Sequence, residues 1–418
     1  VIAVAESDSY LKWAVSLLAQ LPATTQVDIV VACSPVRPSP SQRLAALSGT
    51  DFADHEPEVL SPAQLVRRVE RDKPSAVLLA CTGPSAHAYQ EALSRSSHRP
   101  VLLAGIPGIA LPARRRAWGY RGAVDLFVVH SHREVEEYDR VRTLLGKSGR
   151  VGLATIPFLS PARIGAELAE VEEHQAKEPN KRVLFATQGK VPKLRRERVE
   201  ILLALAGLAA NRPDLEVVVK TRGVPGEFHT HHEAYHYHDL WNDLVAAGQV
   251  DNPDALQFVA GSMAEQLREA CALVTVSSTA VLEAMALDIP VLLIDEFGIS
   301  ESLINQVFVG SSCLASLEAL QSADFRHPEK WWLADNYFHP VTDNTWIEML
   351  DELVKMADAG DLPPIAEGLD RGRSARRRRR DRLRLTPAGS ALVRARQKLK
   401  KRMKGASQEL PSPVVQSS

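Results

Sequence analysis

The sequence predicts an α/β protein of two Rossmann-like domains facing a cleft, and three observations carry that expectation. Short β-branched runs alternate with longer amphipathic stretches, the pattern of parallel sheets covered on both faces. The alternation fades between Ser160 and Asn180 and then starts again. The 418 residues suit two cores of about 150–200 residues better than one.

Taken in order, Val1 to Ala5 reads as a buried strand and Tyr10 to Leu21 as a helix, with Ser9 as its N-cap. Val27 to Ala32 is a second strand. Pro62 to Arg71 is a helix, and Ala76–Ala80, Val101–Leu103 and Asp125–Val129 are further strands. A Glu/Ala/Gln-rich stretch ending in Glu178-Pro179-Asn180 reads as the linker. Arg182–Thr187 then opens the second half as a strand, followed by a helix over Leu194–Asn211. Strands follow at Glu216–Lys220, Leu256–Val259, Leu273–Ser277 and Pro290–Ile294, with a helix over Val281–Leu287 before the last of them. Trp331 to Ala357 supplies closing helices. The expected boundaries are 1–160, 181–360 and a basic, largely disordered tail at 361–418, which carries Arg376 to Arg380 without interruption.

Hydrophobic residues make up 45% and charged residues 24%, as in a soluble globular chain. The net charge of -1 hides an acidic body balanced by the basic segment from Arg371 to Lys404. Cys33, Cys81, Cys271 and Cys313 are widely spaced and read as buried thiols in a reducing compartment. No signal-peptide pattern opens the chain, and no apolar run reaches the ~20 residues that span a bilayer. The expected location is therefore cytoplasmic, with any membrane contact made from the inner face.

Ligands of open α/β sheets bind beyond the carboxyl ends of the strands, so chemistry is sought there. The strongest motif is Val274 to Pro290. A strand ends at Ser277-Ser278-Thr279 and a helix begins at once, so hydroxyls and backbone N–H groups converge as at a phosphate site. The bland alternative is plain N-capping, for which one hydroxyl suffices. Lys220 and Arg222 stand at the end of another strand, on one face, and either meet an anion or are solvated surface charges.

The Ser-Ser-Thr turn, with Glu283 four residues after Thr279 and Ile289-Pro290 opening the next strand, resembles the donor-binding element of GT-B glycosyltransferases. The Ser-Ser form is similar to capsule, Kdo and polysialic acid transferases and to teichoic acid polymerases, and the chain resembles an actinobacterial GT-B group. The resemblance implies Ser277, Ser278 and Thr279 on donor phosphate, Glu283 near ribose, and Lys220 and Arg222 against phosphate. It departs from several of those families in having Arg222-Gly223 where they carry His-Pro. It also implies contacts from Gly261-Ser262-Met263 to the nucleotide base; Gln188, in the turn Thr187 to Lys190, follows the first strand of the second half and so faces the same cleft. The first domain would then take the acceptor and the second the donor, with neither cofactor nor metal.

Five histidines fall in the ten residues from His229 to His238. His229, His231 and His232 read as zinc ligands, as donor or acceptor contacts, or as a bland polar loop. Glu6 and Asp8 leave the first strand and are the acidic candidates for a catalytic base, the equal alternative being that Asp8 or Ser9 merely caps the following helix. Gly108, in Gly105-Ile106-Pro107-Gly108, and Arg121 are the acceptor-side candidates.

The function these readings favour is transfer of a sugar, with a CMP-linked acidic sugar slightly preferred, to a cell-surface glycan or lipid-linked acceptor. Glycerophosphate or polyol-phosphate transfer from a CDP donor and nucleotide-sugar epimerisation stay open. The basic tail is expected to meet an anionic membrane surface. It lacks aromatics interleaved for base stacking, so nucleic acid is the less favoured partner, in a second functional class.

Overall fold

A computed structural model describes residues 1–156, 159, 180–221, 235–261, 263–370, 372 and 375–396. Two parallel sheets form two α/β domains. The first has seven strands in the order β3-β2-β1-β4-β5-β6-β7. They are β1 (Ile2–Ala5), β2 (Asp28–Ala32), β3 (Val59–Leu60), β4 (Ala76–Ala80), β5 (Val101–Gly105), β6 (Leu126–Val129) and β7 (Arg150–Leu153). The second has six strands in the order β10-β9-β8-β11-β12-β13. These are β8 (Arg182–Ala186), β9 (Glu216–Lys220), β10 (Gln257–Val259), β11 (Ala270–Thr275), β12 (Val291–Ile294) and β13 (Leu314–Ala315).

Both orders are doubly wound. The chain runs outward from β1 to β3, returns to β4, and runs out the other way; β8, β9, β10 and β11 repeat the manoeuvre. Each sheet thus has a crevice where the winding reverses, between β1 and β4 and between β8 and β11. The two-domain expectation holds, and the expected strands fall within a few residues of their places, while β3, β7 and β13 are additions to the expected set. All five β4 residues, Ala76 to Ala80, have no measurable exposure, which is why that stretch reads as one apolar run rather than an alternation.

Three expectations are corrected. The first helix, α1 (Asp8–Leu18), is capped by Ser7 rather than by Ser9 or Asp8: the Ser7 hydroxyl accepts from the Tyr10 N–H. Ser9 is already inside the helix. Cys271 is half-buried, whereas the other three thiols are buried. The boundary at residue 360 also shifts. The helix Trp346–Ala359 crosses back to the first domain, where Trp346, Leu350 and Leu353 join the core beneath Leu103, Leu126 and Val128. Beyond it, Ile365 and Leu385 are buried in the other core layer of the first domain. The basic segment thus begins as packed structure, with a helix over Ala375–Arg384 and helical residues at 387–396. Residues 397–418 and most of the expected linker lie outside the described residues. Among the described residues no helix is long and apolar enough to cross a membrane.

The domains meet through apolar and polar contacts. Leu111 and Ile156 of the first domain enter a core made by Leu184, Val281, Met285 and Trp332 of the second. Tyr337 donates to Glu134 Oε1 at 2.7 Å, and the Arg114 guanidinium reaches the Glu301 carbonyl at 3.3 Å.

Candidate active site

The second crevice is built around Gln188, two residues past β8. Its Oε1 accepts from the Ser277 N–H at 2.9 Å, and its amide donates to the Ser277 hydroxyl at 3.2 Å. One side chain therefore ties the exits of β8 and β11 across the reversal. Ser277 is buried, and its hydroxyl donates to the Leu303 carbonyl at 2.5 Å. The Ser278 N–H is taken by Thr275 Oγ1 at 3.3 Å, and Ser278 Oγ accepts from the Ala280 N–H at 3.3 Å. The helix that follows, Ala280–Ala286, is only seven residues long.

The three hydroxyls therefore differ. Ser277 holds the turn from inside and Ser278 bonds to the helix start. Thr279 is exposed, and its side chain makes no capping bond. Glu283 is half-buried, one turn into the same helix. Lys220, at the end of β9, is buried along its length, with Nζ 3.1 Å from the Thr221 carbonyl. Gly261 leaves β10 with a φ of +109°, a conformation that favours glycine, and Met263 opens the next short helix, half-buried. Gln188, Lys220, Gly261 and the Ser-Ser-Thr turn thus line one carboxyl edge of the sheet. Arg222, His229, His231, His232 and Ser262 lie outside the described residues.

Arg198 braces this edge, and nothing in its sequence context marks it. It is buried on the helix Arg195–Asn211, donates to the carbonyls of Gln188, Gly189, Pro192 and Tyr235, and lies 4.9 Å from the Tyr237 ring centre. A guanidinium serves here because its fan of donors can satisfy several loop carbonyls at once.

In the first crevice Glu6 follows β1 and is 3% exposed. Its carboxylate accepts from Ser34 Oγ at 2.8 Å, Ser85 Oγ at 2.5 Å, and the N–H and hydroxyl of Thr82 at 2.8 and 2.6 Å. It gathers the exits of β2, β1 and β4 in the way Gln188 gathers those of β8 and β11. Asp8 is half-buried at the first turn of α1, with no side-chain hydrogen bond or ion pair among the described residues. Arg121 is buried, donates to the Cys81 carbonyl at 2.8 Å, and reaches Tyr10 Oη at 3.4 Å. Burial outweighs this guanidinium and pushes the Tyr10 hydroxyl up to about 12.

Gly105 must be glycine, because a Cβ there would lie 2.5 Å from the Trp13 ring and 2.8 Å from the Val128 carbonyl oxygen. Gly108 has a φ of +72°, and its backbone approaches Thr279 so closely that a Cβ would lie 2.9 Å from Thr279 Cγ2. The loop leaving β5 and the turn leaving β11 therefore face each other across the cleft.

Behind that loop lies a buried acid that sequence reasoning missed. Glu134, at the start of α2 (His132–Leu144), accepts from the Ala110 N–H, the His130 N–H and Tyr337 Oη. Burial pushes its carboxyl up to about 7. Burial likewise pushes His130 down to about 4, so that it is neutral, accepting from Trp13 Nε1 at 2.7 Å.

A model of the family described as "Putative glycosyltransferase (DUF6716)" matches residues 1–353. No curated protein matches the sequence. Among solved structures, the Staphylococcus aureus MnaA–UDP co-structure is similar at 13% identity and a TM-score of 0.53, over 86% of this chain and 96% of that one. The UDP-GlcNAc 2-epimerase of Neisseria meningitidis, bound to UDP-GlcNAc, is 11% identical with a TM-score of 0.52, over 96% and 99%. That of Methanocaldococcus jannaschii is 10% identical with a TM-score of 0.50, over 86% and 99%. At these identities the likeness is one of fold.

Proposed function

We propose, from the premise that this chain belongs to the glycosyltransferase family whose model it matches, that it moves a sugar from a nucleotide-sugar held at the second crevice to an acceptor held at the first. The observation that carries the reading is the approach of Gly108 to Thr279, where strand exits from both sheets meet at one cleft. A transfer needs donor carbon and acceptor oxygen within a few ångströms of each other, which such a cleft supplies.

In this reading the exposed Thr279 hydroxyl meets donor phosphate, and Glu283 lies toward the ribose. Lys220, with Arg222 beyond it, stabilises the charge that develops on the leaving phosphate. Ser277 and Gln188 shape the turn from behind. Asp8 is the better-placed base, since its carboxylate has no internal partner among the described residues. Glu6 has both oxygens engaged and acts by positioning.

The narrower reading is a CMP-linked acidic sugar and a surface glycan or lipid-linked acceptor, with the enzyme working at the inner face of the cytoplasmic membrane. Exposed Arg376, Arg377, Arg379 and Arg380 on the helix Ala375–Arg384 support electrostatic docking there. A nucleotide-sugar epimerase is the second reading, favoured by the UDP-GlcNAc 2-epimerase folds.

One experiment addresses both. Unfolding is followed with CMP, CDP, UDP, UMP and GDP, where a ligand at a hundred times its Kd adds about 2.7 kcal/mol. The matching sugar nucleotide is then incubated with and without acceptor. Nucleotide release that requires acceptor supports transfer. A changed sugar formed without acceptor supports epimerisation. If no nucleotide stabilises the protein, both readings fail.

A further inference from the structure

The chain crosses back to the first domain through the segment between the helices Lys330–Asp335 and Trp346–Ala359. On this segment His339 and Asp343 come to face His132, the first residue of α2. We propose that His132, His339 and Asp343 bind a zinc ion that fastens this crossover to the first domain.

The distances suit a metal. One ligand atom from each residue lies within 4.8 Å of the others. Tetrahedral zinc with bonds of ~2.0–2.1 Å places its ligand atoms ~3.3 Å apart. His132 Nε2 and Asp343 Oδ2 are already 3.2 Å apart. His339 has at most roughly 1.5 Å to travel, within reach of a small ring rotation.

The tautomer suits it too. His339 Nδ1 lies 3.2 Å from the Pro340 carbonyl, a contact that calls for a proton on Nδ1 and leaves the lone pair on Nε2. That Nε2 is buried and makes no hydrogen bond of normal geometry, while the His130 backbone lies near the ring. His339 is 4% exposed. An ordinary His132–Asp343 contact would account for two of the three residues, and His339 joins them by an edge-on contact of its ring with that of His132, centroids 5.3 Å apart. Two imidazoles and one carboxylate favour zinc over magnesium or calcium. His132 and Asp343 are partly exposed, with side chains at 42% and 36%, so the ion can enter and a water can complete the fourth position.

The site lies beside the Tyr337–Glu134 bond that joins the same crossover to α2. Its role is to hold the crossover.

The test titrates metal-stripped full-length protein with Co2+, read by the visible bands of tetrahedral cobalt, and with Zn2+ against a chromogenic chelator. Unfolding is measured with and without metal. One equivalent should bind and raise the unfolding temperature. H132A and D343N, both at partly exposed positions, should each weaken binding at least tenfold. The variant H229A/H231A/H232A should bind as wild type does. Unchanged affinity in both H132A and D343N would overturn the proposal, as would loss of binding in the triple variant, which would move the metal to the histidine-rich segment. H339Q should also lose binding; if it fails to fold, the two partly exposed variants decide.

Discussion

Replacing Gly108 by alanine tests whether the two domains meet where the cleft is drawn. The cost has two separable parts. The first is backbone strain, since an L-residue at a φ of +72° costs roughly 1–2 kcal/mol. The second is steric. The new methyl would lie 2.9 Å from Thr279 Cγ2, whereas carbons pack best at ~3.5–4.0 Å, so the turn must yield by roughly 0.6–1.1 Å. Only this second part depends on the second domain. Thr279→Ser removes Cγ2, and the next atom, Thr279 Cβ, is 3.8 Å from the methyl position, an ordinary contact. A cycle of Gly108→Ala, Thr279→Ser and the double variant therefore isolates it, with nucleotide affinity from calorimetry and unfolding temperature as readouts. Gly108→Ala should be the worst of the three. The double variant should recover the steric share, giving a coupling of about 0.5–3 kcal/mol, the range for residues in contact. Effects that add to within about 0.3–0.5 kcal/mol would refute the contact. A Gly108→Ala protein indistinguishable from wild type would refute the backbone conformation as well.

Gln188→Ala leaves the Ser277 N–H without its partner, a loss of about 1–3 kcal/mol; donor affinity by calorimetry should fall about tenfold or more, and unchanged affinity removes Gln188 from the site. Asp8→Asn should lower turnover by about 10²–10⁴ with donor binding intact, whereas Glu6→Gln, which disturbs two buried and two part-buried hydrogen bonds, should chiefly lower the unfolding temperature; full turnover in Asp8→Asn moves the base elsewhere. Tyr337→Phe removes the buried hydroxyl that Glu134 accepts from and should destabilise the protein by about 1–3 kcal/mol, measured by denaturant unfolding. Cutting after Arg396 should keep both the fold and sedimentation with anionic vesicles at low salt. Cutting after Gly360 should lower stability, because Ile365 and Leu385 leave a core in which each buried aliphatic is worth about 1.5–3 kcal/mol. A chain ending at Arg396 that fails to sediment would remove the membrane role from its exposed arginines.

What was legible in the sequence was local. Strands such as Ala76–Ala80 are buried on both faces, so they appear as unbroken apolar runs that periodicity detects. The Ser-Ser-Thr turn was legible because hydroxyls between a strand and a helix are a local signal. Which hydroxyl remains exposed was not, because Ser277 is claimed by Gln188 and Leu303, 89 and 26 residues away. The same holds for Glu6: a strand-exit acid is visible, but its partners Ser34, Thr82 and Ser85 arrive from other strand exits. Arg198 and Glu134 were missed because each sits in a helix rich in charge, where one buried guanidinium or carboxyl looks like its solvated neighbours. The helix Trp346–Ala359 was visible as a helix, but nothing local in it reveals which domain it covers.

That crossing has a consequence for biosynthesis. The apolar face of β5 and β6 is covered by a helix that begins at Trp346, while the last strand of the same sheet ends at Leu153. About 190 residues must be synthesised between them, which at ~5–20 residues per second takes roughly 10–40 s. Throughout that interval the sheet has its strands but not its lid, and Leu103, Leu126 and Val128 stand uncovered. The first domain is therefore begun first and finished near the end, and a nascent chain stalled in the second domain should be a preferred client of chaperones that hold apolar surface.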